Sequence, residues 1–436
     1  MKKPYLLPSV GNTTELPFLP DPSNRAGWWK PVAVSEAQPV LAFCAPGTTG
    51  EVHQIQVAQR DAAGNWALLR CYEDESKTIA QYPNDSGHRQ PSIAVDGSGR
   101  LHLVGSLHTS AMNYYRDNGS GGDLFNRSEE MPDGHTTFTY PILKTAPNGD
   151  VYLIARVDEY LRTEEKRREG KLYRWENAKE QWSVIGAFAG ETDRAVYPED
   201  LEIDAAGNVH ILYEWSAFPS SGFRHALSYI KYEAASGNWT DHSGSRIVVP
   251  ANVAASDHIQ PLLATEQWRG ISRAASKAYD GPAVQTGKMR IGVDGAIHVV
   301  FRHRDTEGDV FKIKTAWTAD GARWLVEEVY ADTETQASLD LIVTGSDQRI
   351  YYVTGKHGRD GSAVVAHKPT NGLVYMHEPL SPGLAISHLA VVHHDGTDYV
   401  YLMEYGSSQA SGDAPAKLHL GFFHPADGAG EQDGCP

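Results

Sequence analysis

Gly99-Arg-Leu-His102 opens the stretch that decides the fold: a turn closing on glycine, two residues, then an aromatic side chain at the head of the apolar run Leu103-Val104. The same signature returns as Gly50-Glu-Val-His53, Gly149-Asp-Val-Tyr152, Gly207-Asn-Val-His210, Gly295-Ala-Ile-His298, Gln348-Arg-Ile-Tyr351 and Asp398-Tyr-Val-Tyr401. These copies recur about every fifty residues, with one longer gap between His210 and His298, which is the mark of a repeat architecture. A second turn follows most copies and is commonly closed by tryptophan, at Trp66, Trp182, Trp239 and Trp324. Two turns per unit, separated by short runs of Val, Ile, Tyr and Leu, read as the antiparallel strands of one blade. The expectation is an all-β, seven-bladed β-propeller in a single domain. It divides into an N-terminal extension over 1–30, the propeller over 31–425 with an insertion near 241–288, and a C-terminal tail over 426–436. His53 and Tyr401 should then hold equivalent places in the first and last blades.

Helical periodicity is nearly absent. The charged stretch over 160–170 reads equally as a helix or as a solvated connection, and the long insertion has the length to wall one face. Hydrophobic residues at 41% and charged residues at 22% describe a chain able to bury a large core. A formal net charge of −16 repels phosphate backbones and anionic bilayers, so neither nucleic acid nor membrane is an expected partner. Cys44, Cys71 and Cys435 have no metal-ligand spacing and cannot all pair. The opening Met-Lys-Lys-Pro-Tyr-Leu-Leu-Pro has too short an apolar run for a signal peptide, which places the chain in the cytoplasm unless a leader has been removed.

Histidines inside the repeat alternate with tyrosine at the same place, so packing or hydrogen bonding explains His53, His102, His210 and His298. Function is sought among polar residues that depart from the repeat. In an antiparallel blade the start of the first strand and the end of the second lie at one end of the hairpin, opposite the repeat turn. His88, Arg89, Tyr140 and Tyr197 precede first strands, whereas His108, Arg156, Glu214 and Arg302 follow second strands. These side chains converge on one mouth. Two His, one Tyr and one Arg suit β-elimination from a uronic acid polymer, in which a base removes the C5 proton and cations neutralise charge building on the adjacent carboxylate. Glycoside hydrolysis usually needs two carboxylates about 5 to 10 Å apart, and this set offers only Glu214.

At these residues the chain resembles the BNR-type propeller polysaccharide lyase family that includes the bacterial ulvan lyases. The resemblance is carried by His88-Arg-Gln-Pro-Ser-Ile-Ala-Val-Asp-Gly-Ser-Gly-Arg-Leu-His-Leu-Val-Gly-Ser-Leu-His108, by Tyr114-Tyr-Arg116, by Thr139-Tyr-Pro141 running to Ala155-Arg156, and by Asp204-Ala-Ala-Gly-Asn-Val-His210. It implies cleavage of an ulvan-like, rhamnose- and glucuronate-containing polysaccharide. His88 would be the base, Tyr140 would assist at C5 or O4, and Arg156 with His108 would hold the carboxylate. Arg89, Tyr197 and Arg302 are the expected substrate-binding residues. No cofactor is required for such chemistry. Members of that family can hold a structural zinc through a Cys shortly after a His in the fourth blade, but Ser228 stands there here, in His225-Ala-Leu-Ser228. No metal ligand is therefore assigned. The alternatives are a glycoside hydrolase of the related rhamnose-glucuronate propellers and a non-catalytic carbohydrate-binding propeller.

Overall fold

The computed structural model describes residues 13–423, apart from 25–26, 86, 120–121, 135, 161–165, 193, 217–223, 262, 264–280, 307, 319–320, 322, 346, 357–360, 369–373 and 405–415. Among the described residues there is no α-helix; three short 3-10 turns interrupt a chain made of strands. The innermost strands are Val32–Ser35, Ser92–Val95, Thr137–Thr145, Ala195–Ile203, Ala283–Ile291, Thr335–Thr344 and Ile386–His394. Each packs against the next, and the last packs against the first, closing a ring. From every inner strand the chain runs outward through antiparallel neighbours, as in Ala283–Ile291, Ile297–Arg304, Lys312–Thr318 and Trp324–Tyr330. We read the ring as seven blades of four strands, an all-β propeller. No helix is long and apolar enough to cross a membrane among the described residues.

Residues placed in the N-terminal extension turn out to belong to the ring. Thr14 and Glu15 pair with Leu420 and His419 on the outer side of Lys417–Phe423, so that the start of the chain supplies the fourth strand of its last blade. Leu16 N donates to Leu418 O at 2.8 Å, and the Leu16 side chain is buried with Phe43, Leu418 and Leu420. Trp29 and Lys30 are also buried. Apolar strands alone could not dictate this closure, because any edge strand offers the same unpaired backbone.

The described part of the charged stretch over 160–170 is strand rather than helix. Val151–Tyr160 and Lys166–Glu176 form one long hairpin with Tyr160 opposite Lys166, and its tip lies outside the described residues. Part of the insertion near 241–288 adds an edge strand, Asp257–Gln260, to His225–Glu233 of the fourth blade. Cys44 and Cys71 are buried free thiols, while Cys435 and the tail over 426–436 fall outside the described residues.

The repeat turns join first to second strands in six blades. The exception is Gly50-Glu-Val-His53, which lies between Gln38–Pro46 and Val52–Arg60, the second and third strands of the first blade. His53 therefore stands at the opposite end from Tyr401, and their expected equivalence fails. A glycine turn followed by an alternating apolar strand has the same local sequence at either end of a blade. The repeat histidines His102 and His210 do bind a turn of their own. Nε2 of His102 lies 3.1 Å from Asp96 Oδ2 and its Nδ1 lies 2.9 Å from the Tyr114 hydroxyl. His210 repeats the device with Asp204 and Tyr229, at 3.3 and 2.7 Å.

Candidate active site

Three paired strands set the backbone of the mouth. Thr139 lies opposite His108 on one side and opposite Arg156 on the other, which places two of the predicted side chains in one row. Tyr140 then sits in a bulge of the inner strand, with a φ of 58° that non-glycine residues seldom adopt. Its ring stacks on Trp29 at 5.7 Å between centroids and meets Tyr197 at 5.2 Å.

His88 and His108 stack face to face, with centroids 3.7 Å apart and planes 16° apart. Asp85 joins them. His88 Nδ1 lies 3.1 Å from Asp85 Oδ1, and His108 Nδ1 lies 2.6 Å from Asp85 Oδ2. An ionised carboxylate only accepts, so each Nδ1 carries its proton, and the imidazole of His88, when neutral, keeps a lone pair on Nε2. Burial works against charge on Asp85, but hydrogen bonds from His108 and His88 outweigh it and hold this carboxyl well below the usual range. Burial lowers the pKa of His88, helped by the nearby charges of His108 and Arg156, against the opposing pull of Asp85. His88 is thus neutral near pH 7. Tyr140 lies 5.7 Å from His88. Its hydroxyl is pushed to higher pKa, chiefly by burial and then by Tyr197, although Arg224 and Arg156 pull the other way.

Two guanidinium groups cover the tyrosines. Arg156 Cζ stands 4.8 Å from the Tyr140 ring and 4.9 Å from the Tyr197 ring, and Arg224 Cζ stands 4.2 Å from Tyr197 and 4.8 Å from Trp28. Arg156 is only 3% exposed; its Nε lies 4.0 Å from the buried Asp158 carboxylate, but neither Nε nor Nη1 makes a hydrogen bond among the described residues. Behind Arg224 lie Glu199 and Glu214, at 3.8 and 3.7 Å. Burial raises both carboxyls, and the neighbouring charge of Glu199 raises Glu214 further, while Arg224 opposes. The pair therefore shares a proton rather than flanking an open cleft.

Two predicted residues do not join this cluster. Arg302 is tied to Gln285, to Glu334 at 2.7 Å, and to the face of Phe311 at 3.7 Å in the fifth blade. Its pKa is pushed down to about 10, first by burial. Arg89 turns its backbone carbonyl to Ser106 N and Cys44 Sγ, and its charge acts on Cys44, His53 and Tyr82. Sequence reading missed Asp85, Trp28, Trp29, Glu199 and Arg224. The fourth-blade position does not fit zinc: Ser228 Oγ lies 2.7 Å from Ala226 O and 3.0 Å from His258 Nδ1, and His258 Nε2 lies 2.8 Å from Val253 O. A hydroxyl replaces the thiolate, and both nitrogens of His258 already have partners.

The family model described as BNR repeat-containing family member matches residues 49–330, more than half of the chain. No curated protein matches the chain. Among solved structures, the polysaccharide lyase Uly1 is similar at a TM-score of 0.63 and 14% identity, covering 94% of this chain and 91% of that one. A PL25 ulvan lyase is similar at 0.64 and 12% identity, covering 93% and 95%, and it has also been solved bound to -[GlcA(1-4)Rha3S]-. At such identities the likeness is one of fold.

Proposed function

Given that the chain belongs to the BNR repeat-containing family, we propose that it is a polysaccharide lyase that cleaves a uronic-acid-containing, ulvan-like polymer by β-elimination. The observation that carries this reading is Arg156, a buried cation 4.0 Å from Asp158 whose Nε and Nη1 still make no hydrogen bond, beside Tyr140 and the Asp85-bound histidines. A substrate carboxylate supplies what those N–H groups lack.

His88 Nε2 takes the C5 proton of the uronate. The electron pair released at C5 is stabilised through the carboxylate, held by Arg156 with help from His108. It then forms the C4–C5 double bond as the C4–O4 bond breaks. Tyr140, kept protonated by its buried position, gives its proton to the departing O4 and regains one from His88. Atoms and charge balance without a cofactor. Half-buried Trp28 offers a ring edge for sugar, Tyr197 supports the two guanidinium groups that face the substrate, and Arg224 offers a second cation. Arg89 and Arg302 are further substrate contacts in this reading only if a long polymer reaches beyond the cluster.

Hydrolysis is the second reading, and it would have to use the Glu199–Glu214 pair. The two carboxyls are fully buried against each other and Arg224, an arrangement without room for the flanking geometry of acid and nucleophile. Incubation with ulvan, glucuronan and rhamnose-glucuronate oligosaccharides tests the proposal. Ultraviolet absorbance from the new double bond is the expected result. New reducing ends without that absorbance would establish hydrolysis, and binding without turnover would leave a non-catalytic propeller.

A further inference from the structure

The Asp85–His88–His108 cluster has a second chemistry. One donor atom from each residue lies within 4.8 Å of the others. Ligands held about 2.0–2.2 Å from one tetrahedral ion stand roughly 3.3–3.6 Å apart, and the two stacked imidazoles must turn out of their parallel planes for both lone pairs to meet that ion. Two imidazoles and one carboxylate suit zinc and its neighbours in the first transition row, whereas calcium and magnesium prefer oxygen alone. The side chains of Asp85, His88 and His108 are 23, 30 and 39% exposed, so a fourth position opens to solvent. Their backbones are held independently: Asp85 N donates to Ser23 Oγ at 3.2 Å, and His108 is paired with Thr139.

We propose that Asp85, His88 and His108 bind one zinc-class divalent ion at the mouth of the propeller. Binding through Nδ1 requires the single proton now directed at Asp85 to move, by way of solvent, to Nε2 of the same ring. The metal-bound neutral imidazole then has its proton on Nε2 and no lone pair left to abstract another. The ion therefore switches off the base. This regulatory consequence rests on His88 being that base, while the binding site itself does not.

Metal-stripped protein titrated with zinc chloride in a calorimeter should take up one ion per chain. Asp85→Asn and His108→Gln should each weaken that uptake at least tenfold, as expected for loss of a ligand, and His258→Gln should bind like the wild type. Cobalt(II) added to the wild type should give the visible absorption of a tetrahedral site, a reading that needs no variant to fold. No saturable uptake, equal affinity in all variants, or loss confined to His258→Gln would overturn the site. Turnover of the uronate polymer, measured separately, should fall as zinc fills the site. Zinc binding with turnover unchanged would uphold the metal site and remove His88 as base, and absent turnover in metal-free protein would bear on the lyase reading alone.

Discussion

His88 differs from His102 in what its environment asks of it. His102 is buried between Asp96 and Tyr114, with both nitrogens in hydrogen bonds, so His102→Ala should lower the melting temperature. His88 spends only Nδ1 on Asp85. Loss of general base catalysis is worth about 10² to 10⁴ in rate, so His88→Ala should lower kcat by that order with KM nearly unchanged. Retention of more than about a tenth of wild-type kcat, well short of that range, would remove His88 from the reaction. The base works only when neutral, and its pKa is depressed. The acid limb of kcat/KM should therefore fall below the ordinary histidine range near 6.5. Arg156 makes a different demand: Arg156→Ala should lose activity strongly and Arg156→Lys recover part, because lysine keeps charge without the fork. Equal rates in all three forms would sink that role. These residues were legible because each interrupts the repeat. Asp85 was not, since an Asp in a polar Asn-Asp-Ser-Gly turn reads as turn chemistry, and Arg224 occupies no repeat position at all.

Strands explain where sequence reading slipped. Hydrophobic alternation and turn residues repeat in every blade and gave the propeller away, but they carry no label for which end of the blade a turn occupies. His53 was misplaced for that reason. Its Nε2 lies 2.7 Å from Ser106 Oγ and its Nδ1 3.3 Å from Asn84 Oδ1, within the same corner as Asp85. Partners distant in sequence were equally hidden, as in the pairing of Thr14–Glu15 with the last strand. Two substitutions test these elements. Leu16→Ala removes a buried side chain that pins the closing strand and should cost about 2–5 kcal/mol, read as a lower midpoint in urea; an unchanged midpoint would mean that closure contributes nothing. Tyr140→Phe keeps the stack on Trp29 and the face beneath Arg156 while removing the hydroxyl. Folding should persist and turnover should drop, whereas full turnover would show that O4 is protonated by another group.

The ring encloses a cavity of about 380 Å³ lined by Lys30 and by residues of six of the seven inner strands, among them Val34, Val95, Lys144, Arg290, Asp340 and His393. Its wall carries a balanced lattice: Lys30 meets Asp200 at 2.6 Å, Lys144 meets Glu202 at 2.8 Å, and Arg290 meets Glu202 and Asp340 at 2.9 Å each. Such pairs hold register more than they add stability. Buried histidines make folding depend on pH in the window just below neutrality. His53 is pushed down to about 4 and His388 to about 3, in each case first by burial. The unfolded chain binds protons at these sites below about 6.5 and the folded chain does not. Their stability is fully present above that pH and is lost as pH falls toward 4, so the melting temperature should drop between pH 7 and 5. A flat profile across that window would contradict the buried, neutral state of both. The clasp between the two ends of the chain has a consequence for biosynthesis. Every side chain of the candidate site, from Trp28 to Arg224, leaves the ribosome well before Lys417–Phe423, the strand onto which Thr14–Glu15 fastens. A nascent chain thus holds a complete set of site residues on an open arc. Only the synthesis of Lys417–Phe423 turns that arc into the rigid ring on which their spacing depends.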